Sequence, residues 1–239
     1  MRWHWILGLA AMAAVDAQQF VPHAGYVYPA GGRQGSDFEA TVGGQFLEGV
    51  KHAYLSGSGV QVKVIEHVKP LTQGQFNQLR EKLKELMDKS PASAEDRKAV
   101  AEIRQKIMTF IRRPSSPAIA ETVRLQVTVA PDAAPGRREL RLAANLGVTN
   151  PLALDIGQLP EFSKPPAKPS GETPFAKKAV VFRPQPVAPI SVTLPATING
   201  QIMPGGVDRY RFPAVKGQRL VVAAAARELI PYISDAVPG

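Results

Sequence analysis

The sequence contains no cysteine, which excludes disulfides, thiolate metal sites and a cysteine nucleophile. It says nothing of compartment, because exported bacterial proteins also dispense with the residue. After the N-terminus no apolar run is long enough to span a bilayer as a helix. No run of five or six basic residues occurs, nor aromatics interleaved with them, so the net charge of +9 reads as a solvated basic surface without a nucleic-acid site. What the chain has instead is 44% hydrophobic residues over 239 positions, with 22 prolines and 20 glycines. That composition suits one large globular domain or two small ones, built from short strands and tight turns.

Two regions stand apart from the β-like pattern. Met1-Arg2 followed by WHWILGLAAMAA is a positive start and an apolar core of signal-peptide length, with apolar residues on every face. Val15 and Ala17 are the small residues a signal peptidase reads, so residues 1–17 are expected to be removed and the mature chain to be exported. The second region, residues 72–113, reads as two amphipathic helices. Phe76, Leu79, Leu83, Leu86 and Met87 recur at helical spacing, as do Val100, Ile103, Ile107, Phe110 and Ile111. Thr72 and Gln75 form a capping box, and Ser90 or Ser93 begins the second helix after a break at Pro91. Glu85–Lys89 and Glu102–Lys106 are favourable pairs one turn apart.

Around this hairpin the alternation is that of strands. Tyr26-Val27-Tyr28 closes at Pro29 and a Gly31-Gly32 turn. Phe38, Ala40 and Val42 alternate with Glu39 and Thr41 as far as Gly43-Gly44. Residues 51–55 and 60–68 are two further strands, and imperfect alternation in the second predicts a bulge or an exposed edge. Val123, Leu125, Val127 and Val129 alternate with Arg124, Gln126 and Thr128, the cleanest strand pattern in the chain. A strand at Leu140-Arg141-Leu142 and a last one over 148–156 complete about seven, the number an immunoglobulin-like sandwich needs. Residues 158–189 carry eight dispersed prolines from Pro160 to Pro189 and read as a Pro-rich linker. From Ile190 alternation resumes, with Asn199-Gly200 as a hairpin signal and residues 219–226 apolar enough for a core strand.

PAGGRQGSDFEATVGGQFLEG at residues 29–49 resembles the opening of a transcription-factor-like immunoglobulin (TIG/IPT) domain. VTVAPDAAPGRRELRLAANLG at residues 127–147 is similar to that domain's closing hairpin. PATINGQIMPGGVDRYRFPAVKGQRLVVAAAARE at residues 195–228 resembles the first half of the bacterial pre-peptidase C-terminal (PPC) domain, through Asn199-Gly200, Asp208, Tyr210, Phe212, Ala214, Gly217-Gln218 and Leu220. The combination looks like modules of large exported proteins of planctomycetes and related bacteria. The resemblance implies an extracellular or periplasmic module accompanying secreted hydrolases, without implying that the module is catalytic. It also implies a C-terminal sandwich of which residues 190–239 supply about half.

No motif carries a catalytic or cofactor signature. His4, His23, His52 and His67 include no pair at metal-binding spacing. Ser58 in Gly57-Ser58-Gly59 lacks the spacing of a nucleophile elbow. Gly31-Gly32-Arg33-Gln34-Gly35 lacks the Lys and Ser/Thr of a phosphate loop and reads as a β-turn. Asp208 is the one acid singled out: in the resembled domain it either hydrogen-bonds a turn or helps bind Ca²⁺, which gathers several oxygens, and the turn role is preferred.

The fold class expected is therefore mainly β: an immunoglobulin-like sandwich over residues 18–157 with a helical hairpin at 72–113, a linker, and part of a second, jelly-roll-like sandwich. The function expected is non-catalytic binding, spacing or scaffolding, with no catalytic residue, no metal and no cofactor. Its partners are downstream domains of the same polypeptide and a cell-surface polysaccharide or protein, with no nucleic acid and no transmembrane segment. Two alternatives are an accessory N-terminal region of a secreted peptidase, and a polyanion- or membrane-surface-binding module acting through the basic hairpin. N-terminal sequencing of material from the periplasm or medium is expected to begin at Gln18, and an intact Met1 in the cytoplasm contradicts export.

Overall fold

The computed structural model describes residues 20–88, 93–111, 117–164, 188–202 and 207–226. The expected signal peptide and most of the expected linker lie outside them, as do Ser90, Pro91 and Lys89. Among the described residues no helix is long and apolar enough to cross a membrane.

Two sheets carry the architecture. In the first, β1 (His23–Tyr28), β3 (Asp37–Gln45), β6 (Glu121–Val129) and β5 (Val60–Val68) lie in that order, all antiparallel. In the second the order is β2 (Gly31–Arg33), β9 (Leu152–Gly157), β7 (Gly136–Ala144) and β4 (His52–Leu55), with β8 (Gly147–Val148) also paired to β7. The four strands of the first sheet and β4, β7 and β9 of the second reproduce the immunoglobulin pattern of first, second, fifth and fourth strands against third, sixth and seventh. The chain crosses between sheets at Tyr28-Pro29, where the peptide bond is cis, and β2 then runs parallel to β9.

Alternation in the sequence becomes the two faces of the sandwich. Val123, Leu125, Val127 and Val129 point inward with Ala40 and Val42, and meet Leu140, Leu142, Leu152, Leu154 and Ile156 from the other sheet. Leu125 is fully buried, so Leu125→Ala is expected to destabilise the sandwich by about 2–5 kcal/mol. The outward residues are polar: Arg124 sits between Glu39 and Glu66. Exposed pairs of this kind contribute little, so the core carries the fold.

The bulge expected in β5 is present, as a register shift between Val64 and Glu66 against β6. Two details differ from the sequence reading. The Gly31-Gly32 turn is instead strand β2, and its glycines serve close approach: a Cβ at Gly31 would lie 2.4 Å from the Asp155 carbonyl oxygen, and one at Gly32 would lie 2.0 Å from the Phe38 ring. The last strand of the sandwich is interrupted over residues 149–151. There the buried Thr149 accepts a hydrogen bond from the Leu142 amide through Oγ1 (3.0 Å) while its own amide donates to the Leu142 carbonyl (2.9 Å). The side chain thus continues the ladder where the backbone departs from it.

Helices α1 (Gln73–Asp88) and α2 (Ala94–Ile111) connect β5 to its neighbour β6. The Thr72 amide donates to Gln75 Oε1 (2.9 Å) and the Gln75 amide to Thr72 Oγ1 (3.2 Å), the reciprocal capping box expected. Ser93 and Asp96 do the same for α2, with the Asp96 amide 3.0 Å from Ser93 Oγ and the Ser93 amide 3.1 Å from Asp96 Oδ2. Leu83, Leu86, Ile103 and Ile107 form a small core of their own, separate from that of the sandwich, and Phe76 stacks on Phe110 at 4.4 Å. The hairpin is an arm packed on itself. Because Val68 already pairs with Thr122 at its base, replacing residues 71–116 with a short Gly/Ser turn should leave the sandwich folded, since loop length carries only a modest entropic cost. Loss of the β circular-dichroism signal and cooperative melting in that deletion would place the arm in the core.

Candidate functional site: a polar joint beside the sandwich

The sandwich ends at β9, and the chain then forms β10 (Glu161–Ser163), inside the stretch expected to be linker. β10 pairs in parallel with β12 (Thr197–Asn199), and β11 (Ile190–Ser191) pairs in parallel with β13 (Tyr210–Arg211). Asn199-Gly200 therefore does not turn a hairpin. Asn199 is instead the residue on which three segments converge.

Its side-chain Oδ1 accepts from the Ala30 amide (3.3 Å), on the crossing between the sheets, and its Nδ2 donates to Glu161 Oε2 (2.8 Å). Its backbone carbonyl accepts from the Lys164 amide (2.9 Å). The Tyr28 hydroxyl lies 3.1 Å from the same carbonyl and donates at 2.6 Å to the Lys164 carbonyl. Lys164 in turn extends its ammonium to the Asp208 carboxylate and to the Gln201 carbonyl (3.3 Å). Asp208 is nearly buried, at 9% side-chain exposure, and the Tyr210 hydroxyl and the Asp208 carboxylate both approach Gly200 so closely that a Cβ there would sit 3.3–3.4 Å from them. A Cβ at position 200 would be a snug contact that these side chains meet by shifting a few tenths of an ångström at most.

The electrostatics follow from burial. Glu161 has its carboxyl pKa raised by desolvation and by the nearby Asp155 charge, against the lowering effect of the Asn199 hydrogen bond. Burial raises the Tyr28 phenol, helped by Tyr210 and Asp208 and opposed by the bond to the Lys164 carbonyl. Burial and Asp208 likewise raise Tyr210, with Lys164 opposing. The joint is thus one ammonium–carboxylate pair and one desolvated carboxyl held in a net of neutral hydrogen bonds.

The residues singled out by sequence are not brought together. Asp208 faces Lys164, a fixed cation, rather than a set of oxygens, and among the described residues no group of three or more His, Asp and Glu side chains could hold a metal. The glycines beside it, Gly205 and Gly206, lie outside the described residues. His23 Nδ1 contacts Asn150 Oδ1 at 2.8 Å, and burial lowers the pKa of its ring. His67 Nε2 contacts Glu121 Oε2 at 2.9 Å. Both oxygens of that carboxylate also take backbone amides at 3.0 Å, from Phe46 and Leu47, which holds Phe46 at its positive φ of 57°. His52 stands exposed on β4, and His4 lies outside the described residues. Ser58 sits in the β4–β5 turn, whose flanking Gly57 and Gly59 have φ of 85° and 76°, so the plain turn is what the backbone requires.

Glu161 and Lys164 were missed because they fall among the prolines of the expected linker. A Tyr-Pro-Ala crossing, a Glu-x-x-Lys after the last strand and an Asn-Gly pair carry no shared local signature. Residues 219–226 are also not the core strand expected: they form no strand, and Val221 and Val222 are 76% and 79% exposed. No family model matches the sequence, and comparison with the curated proteins finds no match.

Two outcomes follow. Asn199→Ala removes the side-chain bonds to the Ala30 amide and to Glu161 at once, and amide exchange across residues 161–164 and 197–199 should speed up about tenfold or more, while β6 exchange stays unchanged. Glu161 binds its proton more readily in the folded joint than in the open one, so the joint weakens as pH rises from the ordinary carboxyl value through the raised one. Glu161→Gln should flatten that dependence and slow exchange in β10 at neutral pH. A variant as pH-sensitive as the parent assigns the dependence elsewhere.

Proposed function

We propose that this chain is a non-catalytic exported module that orients and spaces neighbouring parts of a larger secreted polypeptide. The observation that carries the reading is the Asn199 joint. Hydrogen bonds from the sheet crossing, from β10 and from Lys164 just after it meet at one side chain and one carbonyl of β12. A free tether would need none of them, whereas a spacer must hold its two ends at a set angle.

The second support is the apolar run that follows. Beyond residue 187 Val192 is the one buried apolar side chain among those described, while Leu220, Val221 and Val222 stand exposed. An exposed run of β-formers is an association hazard unless strands of the same or a neighbouring domain cover it. The TIG/IPT-like and PPC-like resemblances agree with this role, and export agrees with the N-terminal apolar core. The external partner on this reading is a cell-surface polysaccharide or protein.

The experiment is the size and protection of the natural protein. Isolated from its source, it is expected to run well above the 25.7 kDa of this chain, with amides 219–226 protected from exchange there and unprotected in the isolated 239-residue chain. A natural protein no larger than this chain, or full protection of that run in the isolated monomer, contradicts the proposal.

A further inference from the structure

The arm has two unlike flanks. With Leu79, Leu83 and Leu86 of α1 facing Val100, Ile103 and Ile107 of α2, helical spacing puts Arg80, Lys84 and Met87 on one side of that seam. The antiparallel partner presents Arg97, Ala101, Arg104 and Met108 to the same side. The contact of Arg104 Nη2 with Met87 Sδ at 3.7 Å fixes this pairing, and Met87, Arg97, Ala101 and Arg104 line one shallow groove near the tip. Nearer the base, Arg80 lies over the Phe76 ring, 5.9 Å from its centre. The groove's acid, Asp96, turns its carboxylate back to Ser93. The opposite flank is mixed, with Lys82 and Lys106 among Glu85, Glu95 and Glu102.

We infer that this flank of the arm is a docking groove for an acidic amphipathic helix of a partner protein. The groove has the shape of a third helix's seat. Two antiparallel helices leave a concave channel between their outer faces, and its lined part on α2, from Arg97 to Arg104, is about 10 Å, or two turns, long. Leu86, Met87, Val100 and Ala101 make its apolar lining, a surface in which methionine adapts to apolar side chains, while Arg97 and Arg104 line it as cations and helical spacing extends the same flank with Arg80 and Lys84. A partner helix with leucines toward Met87, Ala101 and Met108 and carboxylates toward Arg80, Lys84, Arg97 and Arg104 satisfies both. A second copy of the arm would bring the same four cations against these. A flat anionic surface would leave the concave floor uncovered. The groove is separate from the Asn199 joint, so this inference holds whether or not the joint acts as a spacer.

The test uses the whole chain and fluorescence anisotropy with labelled peptides of about 21 residues, three heptads, carrying leucine at the inner positions and either glutamate or lysine elsewhere. The glutamate peptide is expected to bind and the lysine peptide not to. Arg97→Glu with Arg104→Glu should weaken binding about tenfold or more, and so should Ala101→Trp, which fills the floor without changing charge. Lys82→Glu with Lys106→Glu, on the other flank, should leave it unchanged, each variant being checked for helical circular dichroism. The inference is overturned by equal binding of both peptides, by no binding at about 1 mM, or by equal loss from either flank's reversal. Retention on heparin or phosphatidylglycerol vesicles that exceeds peptide binding and is untouched by Ala101→Trp would also overturn it, assigning the cations to a polyanion or a lipid surface.

Discussion

Strand β6 is the constraint on which the molecule depends. Its four inward side chains, Val123, Leu125, Val127 and Val129, are essentially inaccessible to solvent, and it pairs on both edges, with β3 and β5. Burial of that one face against Leu140, Leu142, Leu152, Leu154 and Ile156 removes apolar area from water at the centre of the sandwich. Everything else is attached to a frame already made stable by this contact. The arm can project because β5 and β6 pair down to its base, and the joint can form because the sandwich presents Tyr28 and Ala30 in fixed positions.

The two attachments work by different physics. The arm is a local structure: capping boxes start each helix, and a short leucine–isoleucine seam holds the pair together. Little of it is needed by the frame. The joint is non-local and polar. Its apolar burial is slight, so its geometry is set by direction-dependent bonds to Asn199, and the Lys164–Asp208 pair is kept from water well enough to hold that geometry. A joint of this kind specifies an angle more than it supplies stability, which suits a spacer.

How much of this was legible in the sequence follows from the range of each interaction. Leu125 and its alternating neighbours, Thr72 with Gln75, and the irregularity of β5 all announce themselves within a few residues, and the sandwich, the arm and the bulge were read correctly from them. Gly31 and Gly32 were read as a turn because a glycine needed for close approach to Asp155 and Phe38 looks the same locally as one needed for a turn. Asn199-Gly200 misled for a related reason: the pair is the strongest hairpin signal in a sequence, yet here the asparagine's amide is engaged by residues far away in the chain. Lys164 and Glu161 could not be found, since a parallel pairing across a proline-rich stretch leaves no period to detect.

If the Asn199 joint works as described, β11, β12 and β13 hold a fixed orientation on the sandwich. Backbone ¹⁵N relaxation of the chain tests it most directly, by comparing amides of β6 with those of β12 and β13. A single rotational correlation time for all three is the predicted result. A distinctly shorter effective time for β12 and β13 than for β6 would mean that the two parts tumble independently and that the joint holds nothing in place.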